Sequence, residues 1–151
     1  MATHVDNCIF CKIINNNAPS EKVYEDDDMV CIKDIYPAST HHYLILPRRH
    51  IANAKELKPT DIMTILDDKM ISTMHRMFEM QGLNPAETRT GFHWPPFNTV
   101  HHLHLHIISP ISNMSIIKKV MFKPDSYWFV VIICTTYLLF FSPSNKQPIS
   151  R

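Results

Sequence analysis

The stretch His101-His102-Leu103-His104-Leu105-His106-Ile107-Ile108 alternates histidine with leucine over the length of a β-strand. In a strand, residues two apart point to the same side, so His102, His104 and His106 form one row while Leu103, Leu105 and Ile107 face away. Neighbouring imidazoles in that row sit about 6.7 Å apart. Buried as a stripe, three rings would each need separate hydrogen-bonding partners, so a purely structural role explains them poorly. Two chemistries suit the row. Histidines at i and i+2 can both reach a metal at about 2.0 to 2.1 Å. Alternatively the central imidazole attacks phosphorus while its neighbours donate hydrogen bonds to the phosphoryl oxygens. The unperturbed histidine pKa of about 6.5 leaves such a nucleophile neutral near pH 7.

Working outward, Thr88 to Trp94 reads as a strand that Pro95-Pro96 ends. Upstream, Thr60 is the expected N-cap of a helix running to about Met80, with Ile62, Ile65, Leu66, Met70, Met74, Met77 and Phe78 as its apolar stripe and Gly82 as its stop. His42-Tyr43-Leu44-Ile45-Leu46 is a strand stopped by Pro47. Lys22-Val23-Tyr24-Glu25 and Met29-Val30-Cys31-Ile32 form a hairpin around Asp26-Asp27-Asp28, a solvated turn rather than a metal loop. Strand starts at Lys22, Met29, His42, Thr88 and His102, with one long helix between the third and fourth, predict an α+β fold: a five-stranded antiparallel sheet packed on one long helix and one or more short ones. Asp34 stands where strand gives way to loop, and either caps the turn or accepts ribose hydroxyls. Cys8-Ile9-Phe10-Cys11 holds either two packed thiols or half of a zinc site.

With 151 residues, 45% apolar and 19% charged, the chain is long enough for one domain with a core of its own. The net charge of +1, and the lack of a basic block beyond Pro47-Arg48-Arg49-His50, argue against a nucleic-acid surface. A small ligand fits better. The two glycines, Gly82 and Gly91, leave no room for a glycine-rich phosphate loop. Four cysteines do not make a secreted disulfide framework, and Met-Ala-Thr-His-Val-Asp lacks the features of a signal peptide, so a reducing intracellular compartment is expected.

The motif His102-Leu103-His104-Leu105-His106-Ile107-Ile108 resembles the signature of the histidine triad family. The likeness continues through Cys8-Ile9-Phe10-Cys11-Lys12-Ile13, Cys31-Ile32-Lys33-Asp34-Ile35 and Leu46-Pro47-Arg48-Arg49-His50-Ile51, in family order and spacing. Thr40-His41-His42-Tyr43-Leu44, Gly91-Phe92-His93-Trp94-Pro95-Pro96-Phe97 and Ser126-Tyr127-Trp128-Phe129 narrow it to the nucleotide-binding branch with adenosine 5′-monophosphoramidase activity. The resemblance covers residues 7–129, which it marks as a histidine triad domain.

That resemblance implies a hydrolase that cleaves adenosine 5′-monophosphoramidates, and similar aminoacyl adenylates, to AMP through a nucleotidyl-histidine on His104. His102 and His106 would orient the nucleophile and bind phosphate, Asp34 would take the ribose hydroxyls, and Ile9, Phe10, Ile13, Ile32 and Ile35 would wall the purine pocket. Leu103 belongs to the same nucleotide site, and Thr99 stands where many relatives carry a serine near the leaving group. In the loop before the triad, Phe97 and Asn98 replace a glycine and a glutamine common elsewhere in the family, and Gly91 falls near a phosphate-side asparagine, so leaving-group handling is open. No cofactor is required for the chemistry. A structural zinc on Cys8, Cys11, His50 and His102 follows from some relatives, with packed thiols as the alternative. The resemblance also implies a homodimer joined through a continuous sheet, in the cytoplasm and the nucleus. A nucleotide-binding scaffold with little turnover and a zinc-stabilised structural domain remain the competing functions. After Phe129 the likeness fades into a divergent tail, 130–151. The apolar run 127–141 is shorter than the roughly 20 residues of a membrane span, so a sticky or aggregation-prone segment is expected there instead.

Overall fold

The computed structural model describes residues 5–132. A short helix, α1 (Ile9–Ile14), precedes the hairpin of β1 (Lys22–Glu25) and β2 (Met29–Lys33), which leads to β3 (His41–Pro47). The long helical segment begins as α2 (Pro59–Asp61), widens into a π-helical stretch (Ile62–Ile71) and ends as α3 (Ser72–Gln81). Then come β4 (Arg89–His93), β5 (Leu105–Ser109), α4 (Ile116–Met121) and β6 (Phe129–Val131). The sheet is antiparallel throughout, in the order β1-β2-β3-β5-β4-β6.

Three local expectations need correction. The sheet has six strands rather than five, because β6 pairs with β4 and buries Phe129 and Val130. Both lie inside the apolar run 127–141, and Val130 falls in the segment assigned to the tail; the run from residue 133 on lies outside the described residues. The helix is capped at Lys58 rather than Thr60, since Pro59 suits the first helical position and the Asp61 carboxylate accepts the Lys58 N–H at 3.1 Å. Finally, β5 begins at Leu105 rather than His102, because the Leu103 N–H leaves the sheet and donates to the Ile51 carbonyl at 2.6 Å. Gly82 does end α3, in the left-handed conformation at φ 62°.

The alternation in the histidine stretch nevertheless sorts the molecule into two sides. Leu103, Leu105 and Ile107 join Tyr43, Ile45 and Phe92 against Leu66, Met70, Met74 and Met77 of the long helix. On the opposite side Phe10, Cys11, Ile13 and Ile14 of α1 cover Val30, Ile32, Leu44 and Leu46, while Phe122 and Phe129 pack with Ile108 and Ala38. The three triad imidazoles lie on this second side, between those two apolar clusters. No helix among the described residues is long and apolar enough to cross a membrane. Cys8, Cys11 and Cys31 are free thiols.

Candidate active site

His104 sits at the centre. Its Nδ1–H donates to the carbonyl of His102 at 2.6 Å, which fixes the tautomer and leaves the lone pair on Nε2. Phe10 meets the ring edge-on, at 5.2 Å between centroids. Burial pushes the imidazole down to about 4, so the ring is neutral at physiological pH. A neutral imidazole with a free lone pair is what nucleophilic attack at phosphorus requires.

His102 is turned differently. Its Nε2–H donates to the Pro47 carbonyl at 2.9 Å, and Nδ1 lies 3.5 Å from Cys8 Sγ and 3.6 Å from Cys11 Sγ. Cys11 Sγ is also 3.4 Å from His50 Nδ1. The donor atoms of Cys8, Cys11, His50 and His102 all fall within 4.8 Å of one another. Thus one residue serves two places: the ring faces the thiols, and the peptide carbonyl holds His104.

His106 has both nitrogens engaged. Nδ1 faces His42 Nε2 at 2.9 Å, and Nε2 faces His93 Nδ1 at 3.2 Å. Asp34 Oδ2 stands 3.5 Å from His42 Nε2, bringing the acidic residue to the imidazole cluster, while Oδ1 accepts the Tyr36 N–H. Phe10, Ile13 and Ile32 are buried beside this side of the sheet, whereas Ile9 and Ile35 are 46% and 77% exposed. That pair is therefore free to contact a ligand from the open side. Thr99 is exposed on the loop before the triad, and Leu103 points its side chain into the main core, leaving its backbone nearer the site. Asn98 lines a small cleft with His93, His102 and His104, and its Oδ1 is buried without a hydrogen-bond partner among the described residues.

His42 and His93 carry no role that the sequence alone makes visible. Each alternates correctly along its own strand, but only the pairing of β5 with β3 and β4 shows what they flank. His106 is opposite Leu44 and Gly91, so His42 and His93, two residues farther along those strands, share its side of the sheet. Strand register was the missing information.

Burial lowers the pKa of His42 to about 4 and lowers those of His93 and His106 as well. In the unfolded chain these rings titrate near 6.5 and take up protons that the folded state refuses. Stability is therefore whole above that value and falls as the pH drops toward 4. Urea unfolding at pH 7 and pH 5 should show a lower midpoint at pH 5, with His42 alone adding up to about 1.4 kcal/mol per pH unit. Equal midpoints would show that these rings are not held neutral by the fold.

Comparison with known proteins converges on the same region. A family model described as scavenger mRNA decapping enzyme C-terminal binding matches residues 7–122. The adenosine 5′-monophosphoramidase HINT3 of Mus musculus is 36% identical over 129 residues, covering 83% of this chain and 77% of that protein. Its namesake in Xenopus tropicalis is 37% identical over 126 residues, covering 82% and 81% respectively. A solved histidine triad protein from Clostridium difficile shares the fold with a TM-score of 0.66 at 29% identity, covering 70% of this chain and 92% of that one.

Proposed function

This chain belongs to the histidine triad family, and from that premise we propose that it is a nucleotide hydrolase that cleaves adenosine 5′-monophosphoramidates to AMP. The observation that carries the reading is the hydrogen bond from His104 Nδ1 to the His102 carbonyl, which presents Nε2 as the nucleophile. In the first half-reaction Nε2 bonds to phosphorus, the phosphorus–nitrogen bond to the leaving amine breaks, and the amine departs with a proton taken from solvent. Water then attacks phosphorus and gives up a proton to solvent, the bond to His104 breaks, and AMP leaves with the imidazole restored. An aminoacyl adenylate would follow the same course, with a carboxylate as leaving group. Asp34 is assigned to the ribose hydroxyls, Ile9, Phe10, Ile13, Ile32 and Ile35 to the purine, Thr99 and the Leu103 backbone to the phosphate surroundings, and His106 to the phosphoryl oxygens. The test is AMP release from adenosine phosphoramidate by the wild type and by His104→Ala. Nucleotide binding with no turnover in the wild type would favour the scaffold function instead.

The reading includes a structural zinc on Cys8, Cys11, His50 and His102. Zinc bonds of about 2.3 Å to sulfur and 2.0 to 2.1 Å to nitrogen give a tetrahedron with sulfur–nitrogen edges of about 3.5 Å. The sulfur–nitrogen separations of 3.4, 3.5 and 3.6 Å match those edges. The Pro47 carbonyl on His102 Nε2–H directs the Nδ1 lone pair at the thiols, the outer support such a ligand needs. The metal would supply a cross-link, tying α1 to the two histidine loops, and takes no part in the reaction. Metal analysis of purified protein should give one zinc per chain and loss of that zinc in Cys8→Ala; a metal-free wild type ends the idea. A homodimer in the cytoplasm and nucleus completes the proposal, and with β6 on the β4 edge a shared sheet would have to continue from β6 or β1.

A further inference from the structure

Three imidazoles outside the nucleophile form a continuous chain whose two ends are held by backbone groups. At one end the Ala38 N–H donates to His42 Nδ1 at 3.0 Å. This makes Nδ1 an acceptor and, in a neutral ring, places the hydrogen on Nε2. That hydrogen faces His106 Nδ1 at 2.9 Å, with Asp34 Oδ2 also 3.5 Å away. His106 Nδ1 therefore accepts, and its own hydrogen sits on Nε2, directed at His93 Nδ1, 3.2 Å away. His93 in turn carries its hydrogen on Nε2 and donates to the Met121 carbonyl, also at 3.2 Å. Every link has one donor and one acceptor, and both ends demand the same direction. Burial, which keeps all three rings neutral, preserves that order.

We propose that His93 is a positioning residue for the phosphoramidase reaction: by accepting from His106 Nε2–H and anchoring on Met121 at the end of α4, it holds His106 in one tautomer and one ring orientation. His106 thus keeps a donor hydrogen on Nε2, held on His93 Nδ1 and shared with a phosphoryl oxygen when substrate binds. The ring packing supports this placement, since Phe122 and Phe129 contact both His93 and His106, at centroid distances of 4.9 to 6.1 Å. The inference rests on the proposed phosphoramidase activity, and one readout is chosen to be independent of it.

His93→Phe keeps a ring in the aromatic cluster but removes both hydrogen bonds, while His93→Asn retains an acceptor close to where Nδ1 stands. Nitrogen-15 NMR of the histidine rings should show His106 as the Nε2–H tautomer in the wild type and in His93→Asn, and as a mixture in His93→Phe. In steady-state assays with adenosine phosphoramidate, His93→Phe should lose 10- to 100-fold in kcat with KM within about twofold, and His93→Asn should recover most of the loss. An unchanged His106 tautomer in His93→Phe, or a kcat equal to wild type, overturns the proposal. If no variant or wild type turns over the substrate, the activity reading fails while the tautomer result still decides the role of His93.

Discussion

His104→Ala should lower kcat/KM for adenosine phosphoramidate by about 10³-fold or more, equivalent to at least about 4 kcal/mol of transition-state stabilisation. Alanine offers no lone pair, and no neighbouring imidazole is positioned to replace it. His102 has Nε2 on the Pro47 carbonyl and Nδ1 on the thiols, and His106 is bonded at both nitrogens. The surfaces assigned to the nucleotide, Asp34 and the apolar residues of α1 and β2, remain in place in this variant. AMP affinity measured by calorimetry should consequently stay within a few-fold while turnover collapses. A fall of less than tenfold would mean that water attacks phosphorus directly and that no covalent intermediate forms.

Gly91→Val is expected to be the most damaging substitution for the fold. A Cβ at this position would lie 2.3 Å from the Val130 carbonyl oxygen and 2.8 Å from two ring carbons of Phe129. Gly91 is paired with His106 on one side and Val131 on the other, so the clash falls within the pairing of β4 with β6. Relief requires β6 to detach, exposing Phe129 and Val130, which are now 0% and 3% exposed. Urea unfolding should register a loss of about 3 kcal/mol or more, with Gly91→Ala showing a smaller loss of the same kind. A midpoint within 1 kcal/mol of wild type would show that β6 is not integral to the domain. The contact also gives a physical reason for glycine at a place where the family resemblance suggested an asparagine.

The parts of the fold legible in the sequence were those written in local periodicity. The four-residue spacing of Leu66, Met70 and Met74 announced the core face of the long helix, and Gly82 its end. Likewise the alternation from His102 to Ile107 separated core from site, and Asp34 was visible because it stands at a strand end. The sixth strand was hidden because Phe129, Val130 and Val131 are continuous with a longer apolar run, and only pairing with β4 distinguishes them. His42 and His93 escaped for a related reason: each is the one histidine on its face of its own strand, and the cluster around His106 exists only once three strands are in register. The double use of His102 was equally invisible, since it depends on a ring and a carbonyl of one residue pointing to different neighbours.

The two-sided character of the histidine stretch also bears on how the chain avoids misfolding. A slip of one residue between β5 and β3 would send His106 toward Met70 and Met74 and bring Leu105 and Ile107 out against Phe10 and Phe122. Each imidazole stranded in hydrocarbon would cost about 1 to 3 kcal/mol, while Leu105 and Ile107 would offer nothing to His42 or His93 in exchange. The same residues that form the candidate site thereby reject the wrong alignment during folding, so chemistry and a single native state draw on one set of positions.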